Sequence, residues 1–584
     1  MNTHGSGAQS QADILASLPL HLRPFVQTQD YQRYTPRDQA VWRFVMKHLT
    51  RQLADTAHPV YLEGLARTGI ALDHIPSIDE MNACLARLGW RAVVVDGFIP
   101  PAIFMEFQAL KVLVIAMEMR SVEHIFYTPA PDIVHESAGH APFIVDVDYA
   151  EFLQRFGEIG MKAISTQADM EVYEAIRQLS IVKECPASTP ADIEQAEATL
   201  REVTAANTDL SEASLLTRLH WWTVEYGLVG EVSDYRIFGA GLLSSLGESR
   251  SCLDDSRVKK RPLTVDAVRY PYDITSVQPH LFVTSSCRHL SQVLEEFAAG
   301  MCFQRGGASS LQVAVEAGSI CTAQYDSGMQ VSGVFDEVLC DAVGNAIYLR
   351  TRGPTQLAWG NREIYGHGTA YHSEGFGSPI GHLKDFSRSL SHYSIDELKA
   401  HDIVIGKPVR LQFLSGITVE GRLEDIYRQE HRNLILGFDD CTVTDLEGRV
   451  LFEPAWGRYD MAVGARITSV YGGVADREAL QLHKPAPATR SIEVQQDARL
   501  MSLYALADEL RRGEQAVNES VQQTLQSGLE SYPDEWLLRV ELLAAGSQVL
   551  TPSLQIELEA LAQRRPELEQ LIAMGLGHQE DGSR

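Results

Sequence analysis

Two histidines and two acids crowd into one short run of this chain. Residues 127–140 read Y-T-P-A-P-D-I-V-H-E-S-A-G-H, which sets His135 and His140 five positions apart, with Glu136 beside the first. On a regular helix of ~3.6 residues per turn, five steps leave two side chains roughly 140° apart. The zinc-protease pattern H-E-x-x-H spaces its histidines at i and i+4 on one face. The longer spacing here argues against that chemistry and suits two ligands gathered on one ion from a helix end or a bend. A third ligand is on offer in W-W-T-V-E-Y-G-L, residues 221–228, where Glu225 is the one acid in an apolar run. A carboxylate is costly to bury unless it is paired or metal-bound. His135, His140 and Glu225 together make a 2-His-1-carboxylate set, the arrangement of non-haem Fe(II) with positions open for oxygen. Taken singly, each has an ordinary alternative, as a solvated histidine or a salt-bridged acid. Oxygen activation at such an iron needs more electrons than the metal and protein hold, so a reducing co-substrate must bind nearby.

The words around these residues resemble the biopterin-dependent aromatic amino acid hydroxylases. Y-T-P-x-P-D-I-x-H-E-x-x-G-H is similar to the family's iron motif, and W-x-T-V-E-Y-G-L to its carboxylate segment. A third block, G-A-G-L-L-S-S-L-G-E at residues 239–248, follows in the right order. Weaker similarity runs from Tyr34-Thr35 and Trp42 through Val277-Gln278-Pro279 to Phe297-Ala298, so it covers roughly residues 25 to 310.

The resemblance implies a mainly α catalytic domain. It also implies Fe(II), O2 and a tetrahydropterin as co-substrate, and hydroxylation of an aromatic amino acid. Roles carry over by position. Arg120, seven residues before Tyr127, matches the arginine that clamps the amino acid's carboxylate, which a planar guanidinium can do bidentately. Thr128 and Ser244 support that site, Trp221 lines the ring pocket, and Gly241 permits close approach. Asp132 and Ser244 are the candidates to orient a ligand histidine. On the pterin side, Phe104 matches the stacking aromatic, Val95, Gly97 and Ile99 the adjoining loop, and Glu136 the acid facing the pterin. Ile274 stands where resemblance to tyrosine hydroxylases would call for an acid, which favours L-phenylalanine and its conversion to L-tyrosine. The sequence departs from the family at Phe98-Ile99-Pro100-Pro101, at His220 in place of a tyrosine, and at the small pair Ser137-Ala138. Phenylalanine 3-hydroxylation, tryptophan hydroxylation and a catalytically silent amino-acid sensor are the competing readings.

These motifs occupy about half of a 584-residue chain, long enough for three or four domains. A net charge of -27 argues against a nucleic-acid partner. Eight scattered cysteines without a C-x-x-C pair suggest neither a zinc ribbon nor a disulfide framework. The polar start lacks a signal-peptide pattern, and no apolar run of about 20 residues exists to span a bilayer, so the expected place is the cytoplasm.

Four regions are expected: a polar tail at 1–24, the catalytic domain at 25–318, a β-rich domain at 319–480 and a helical region at 481–584. Trp42, Phe44, Val45 and Leu49, and the run Gln292 to Met301, recur at helical intervals. Residues 171–216, between the second histidine and Glu225, read as an inserted helical hairpin, with a helix start at Thr189-Pro190-Ala191-Asp192. Alternation on both sides of Ser415-Gly416 predicts a β-hairpin. The same word, S-G-x-x-V-x-G, occurs at residues 327–333 and 415–421, and the 88-residue offset also carries Asn345 onto Asn433 and Ile347 onto Ile435. Either a small β unit is duplicated, as a barrel-like pair, or two similar hairpins coincide. Between them, His367 and His372 read as solvated loop histidines in preference to a second metal site. From Ala498, the stripe Leu500, Leu503, Leu506 and Leu510 marks a helix that packs into a core or against a partner, with homo-oligomerisation through this region as one outcome. Residues from about 319 are expected to form an independent unit.

Overall fold

The computed structural model describes residues 10–95, 99–126, 131–185, 188–274, 276–479, 497–546 and 551–577. Thr128 and Gly97, both named above as site candidates, lie outside the described residues.

The helix Pro36–Leu53 starts on a full capping box. Thr35 accepts from the backbone of Asp38, whose carboxylate accepts from the Thr35 backbone. Its apolar face buries Trp42, Phe44, Val45 and Leu49 in the largest core cluster. The strands Arg91–Val95 and Val112–Ala116 pair in parallel, joined by the helix Pro101–Ala109. A second small sheet, of the strands Leu228–Glu231, Asp234–Ile237, Lys259–Pro262 and His280–Thr284, follows the segment that carries Glu225. Between the two histidines and Glu225 run the helices Gln167–Glu184, Pro190–Ala206 and Glu212–His220. The second of these opens on a Thr189–Asp192 capping box.

From Ile320 the chain turns to strands. Ile320–Tyr325, Met329–Cys340 and Ala346–Trp359 form an antiparallel meander, and Pro408–Gln412, Thr418–Gln429 and Arg432–Thr444 form another. Both turn at a Ser-Gly pair: Gly328 and Gly416 adopt φ of +89° and +88°, a region only glycine enters freely. Ser327 Oγ accepts from the Met329 amide at 3.2 Å, and Ser415 Oγ from the Ile417 amide at 3.5 Å. The last strand, Ile467–Gly472, crosses back to pair with Ile320–Tyr325, so the first sheet closes only after the second is complete.

The strands and the final helices are not set apart from the catalytic region. Ile164, Cys302, Leu311 and Ala314 are buried in one cluster with Val331, Leu357 and Val470. Arg477, beyond the last strand, donates to Glu106 at 2.7 Å and to the Met161 carbonyl at 2.5 Å. The leucine stripe is buried in the same core as Trp42. Trp536 meets Phe44 edge-on at 5.1 Å, and Arg43 donates to Glu541 at 2.9 and 2.5 Å. The expectation of an independent unit from about residue 319 is therefore corrected: apolar faces from both halves complete shared cores. The stripe finds its partner within its own chain. Among the described residues no helix is long and apolar enough to cross a membrane.

Candidate functional site

His135 is the second residue and His140 the last of one short helical segment. Val134–His140 winds as a π-helix, whose wider i→i+5 turn brings residues five apart onto one face. The Glu225 segment does the same. Trp221–Glu225 is a second π turn, closed by the Tyr226 amide donating to the Trp221 carbonyl at 2.9 Å. Two rare windings thus aim three ligands at one point. His135 Nε2 and His140 Nε2 are 3.2 Å apart. Glu225 Oε2 lies 3.3 Å from the first and Oε1 3.4 Å from the second. Donors about 2.1 Å from one ion and set at right angles lie about 3.0 Å apart, so the triangle fits a facial metal site.

The surroundings fix the form of the ligands. Ser244 Oγ donates to the Ala240 carbonyl at 2.8 Å, so toward His135 Nδ1, 3.0 Å away, it accepts. The proton therefore stays on Nδ1 and the Nε2 lone pair faces the other ligands. Asp132 does something other than expected. It does not orient the imidazole; its Oδ1 accepts from the His135 backbone amide at 2.9 Å, fixing where the π turn starts. Its carboxylate is otherwise taken by Arg120, through Nε at 2.6 Å and Nη2 at 2.9 Å. Arg120 Nη1 donates to the Ser244 carbonyl at 3.0 Å. Three of the five guanidinium protons are thereby engaged, and two remain for a ligand.

Glu225 balances opposed effects. Burial alone would raise its pKa, but His140 and then His135 outweigh it and hold the carboxyl well below the usual range. Glu136 is pushed up to about 8, chiefly by burial, with His140 opposing and Glu225 and Asp132 reinforcing. His220 is pushed down to about 4 by burial, against the pull of Glu225. Its Nδ1 lies 3.7 Å from Glu225 Oε1, while Nε2 is buried without a hydrogen-bond partner. Sequence singled out His220 only as a departure; its contact with Glu225 needed the π turn to be seen.

Phe104 is half-buried and meets the His220 ring edge-on at 6.0 Å. The Val95 side chain is buried in an apolar cluster with Phe25 and Phe107. Ile99 packs at the margin of that cluster. Trp221 stacks on Tyr226 at 4.7 Å and on Tyr272 at 4.4 Å. The indole is one plate of an aromatic stack rather than a free wall. Ile274 follows two residues after Tyr272. A Cβ on Gly241 would come within 2.9 Å of the Tyr226 ring and 3.1 Å of the Glu225 carbonyl. The close approach that this glycine permits is to the ligand segment.

Tyr226 also hydrogen-bonds Glu248 at 2.7 Å. Burial pushes the Glu248 carboxyl up to about 7, with the tyrosine opposing. The folded state then binds a proton that the unfolded state releases near the ordinary carboxylate pKa of ~4.3. Stability should therefore fall as pH rises from about 5 through 7. Glu248→Gln should flatten that slope in a series of melting curves, and an unchanged slope would count against this assignment.

Comparison with known proteins agrees with the geometry. The family model for the biopterin-dependent aromatic amino acid hydroxylases matches residues 25–180 and 191–306. A phenylalanine-4-hydroxylase of Ralstonia nicotianae is 29% identical over 272 residues, spanning 46% of this chain and 73% of that protein. A phenylalanine-4-hydroxylase of Pseudomonas aeruginosa is 28% identical over 45% of this chain and 84% of its own. A solved structure of Chromobacterium violaceum phenylalanine hydroxylase with iron(III) and 7,8-dihydrobiopterin is 25% identical. It covers 48% of this chain and 87% of that one, with a TM-score of 0.38.

Proposed function

We propose that this chain, whose residues 25–180 and 191–306 match the model of the biopterin-dependent aromatic amino acid hydroxylases, hydroxylates L-phenylalanine to L-tyrosine with Fe(II), O2 and a tetrahydropterin. The observation that carries this is the triangle of His135, His140 and Glu225, with edges of 3.2, 3.3 and 3.4 Å. Iron held there supplies the oxygen chemistry, and the pterin supplies the electrons. The protein's share is to bind, orient and exclude water.

In this reading Ser244 keeps His135 in its metal-binding tautomer. Arg120, held rigid by Asp132, offers its two remaining donors to the substrate carboxylate. The aromatic stack of Tyr226, Trp221 and Tyr272 bounds the ring pocket, and Gly241 lets the ligand segment lie close beneath it. Phe104, Ile99, the backbone at Val95, and Glu136 form the pterin side. Eight cysteines without a disulfide among them fit the cytoplasm as the working compartment. The two Ser-Gly meanders are read as copies of one small β unit, supported by their matching turns and strand order.

Iron-loaded protein incubated with tetrahydropterin and each aromatic amino acid, with products identified by mass spectrometry and NMR, tests the assignment. The expected product is tyrosine from phenylalanine. Ile274 adds a preference, because it offers no partner to a phenolic hydroxyl. Leaving that hydroxyl unpaired costs ~1–3 kcal/mol, or roughly 5- to 150-fold in kcat/KM. Turnover of tyrosine equal to that of phenylalanine would remove Ile274 from the specificity argument.

A further inference from the structure

His367 and His372, expected as solvated loop residues, are turned inward. His372 is 8% exposed. His367 Nδ1 lies 3.2 Å from His372 Nε2, and the rings stack with centroids 5.4 Å apart. A third group comes from the other sheet. Asp460, on the strand Tyr459–Ala462, places Oδ2 4.0 Å from His367 Nδ1, with its side chain 2% exposed. The three donor atoms all lie within 4.8 Å of one another.

We propose that His367 Nδ1, His372 Nε2 and Asp460 Oδ2 bind a divalent transition-metal ion of the zinc type, at a site separate from His135, His140 and Glu225. Two imidazoles and a carboxylate are a donor set that zinc takes, and ligands about 2.1 Å from a tetrahedral ion lie about 3.4 Å apart. The 3.2 and 4.0 Å edges straddle that value. A hydrogen bond between the two rings explains the first edge alone. It gives no reason for a carboxylate from a second sheet to meet the same corner.

The scaffold is fixed on every side. The His367 carbonyl accepts from the Leu357 amide at 2.9 Å, and the His372 carbonyl from the Thr355 amide at 3.0 Å, clamping the loop to the strand Ala346–Trp359. The His372 amide donates to the Gly368 carbonyl at 3.1 Å. Arg458 Nε donates to Asp460 Oδ1 at 3.3 Å, orienting the carboxylate so that Oδ2 faces the histidines. Arg458 also pairs with Asp425, so this corner carries two carboxylates against one guanidinium. The surplus negative charge favours a cation. An ion there would tie the 365–372 loop of one sheet to a strand of the other.

The test uses the full chain with His135→Ala and Glu225→Ala, so that the iron site cannot report. After chelation it is titrated with Co2+, read by ligand-field absorption, and with Zn2+, read by calorimetry and elemental analysis. A single equivalent bound with a tetrahedral cobalt spectrum is expected, together with a rise in Tm on adding Zn2+. His372→Ala or Asp460→Asn in that background should weaken binding at least about tenfold. No binding by the parent background, with its circular dichroism unchanged from the unsubstituted chain, overturns the proposal whatever the further variants do. An equivalent that survives both further substitutions places the metal elsewhere and overturns it as well.

Discussion

Glu225→Ala and His135→Ala should each strip the chain of stoichiometric iron and of phenylalanine hydroxylation, while far-UV circular dichroism stays close to that of the parent. Replacing partners that only orient a metal ligand typically costs 10- to 100-fold in affinity or activity. Removing a ligand should exceed that range. Ser244→Ala, which keeps all three ligands and loses the acceptor for His135 Nδ1 along with the bond to the Ala240 carbonyl, should fall inside it, and that graded pair separates a metal site from a salt-bridged cluster. The fold is expected to tolerate these changes because the ligands are held by backbone winding and not the reverse. The Tyr226 amide closes the second π turn onto the Trp221 carbonyl whatever side chain stands at 225. Full iron content and activity in either alanine variant would sink the assignment.

The histidine spacing carried the chemistry and hid the geometry. Ligands five positions apart share no face of an α-helix, so a helix end or a bend was the natural reading. The π turn that resolves it depends on how the 239–243 segment packs beneath, where a Cβ on Gly139 would come within 2.8 Å of the Ala240 carbonyl. That contact is tertiary, and no local pattern announces it. Asp132 was legible as important but not in its role, because one carboxylate serves both the His135 backbone and the Arg120 guanidinium. The loop histidines failed in the opposite direction. Gly366, Gly368 and Thr369 around them read as solvent-facing, and only Asp460, nearly a hundred residues on, reveals why the rings are buried. In the helices, capping boxes at Thr35 and Thr189 and the leucine stripe from Leu500 marked where elements start and which face is apolar. A stripe says that a partner exists, not which one. The partner is the helix Pro36–Leu53, and the pairing is set by charges too far apart in sequence to be matched by pattern.

That pairing yields the second large effect. Glu541→Ala should destabilise the whole catalytic region, far beyond a surface change. Glu541 and Arg43 are both nearly buried and meet at 2.5 and 2.9 Å, with Arg43 also reaching Asp508 at 3.1 Å. Burial pushes the Glu541 carboxyl upward and the guanidinium pulls it back. Removing one partner of such a pair strands the other charge in the interior, at a cost of about 3–5 kcal/mol. Asp508 still faces Arg43 in the variant, so the lower end is expected. Glu541→Gln, which keeps the shape and an acceptor, should lose less. The informative comparison is between two probes of thermal unfolding, near-UV circular dichroism and bound iron. If the helices beyond Asp497 complete the core around Trp42, both signals should shift down together in Glu541→Ala. A transition in which the helices melt early while iron stays bound at the parent temperature would show that the shared core contributes little. The direction of that outcome matters for function, because it decides whether changes in the C-terminal helices can reach the metal centre through stability alone.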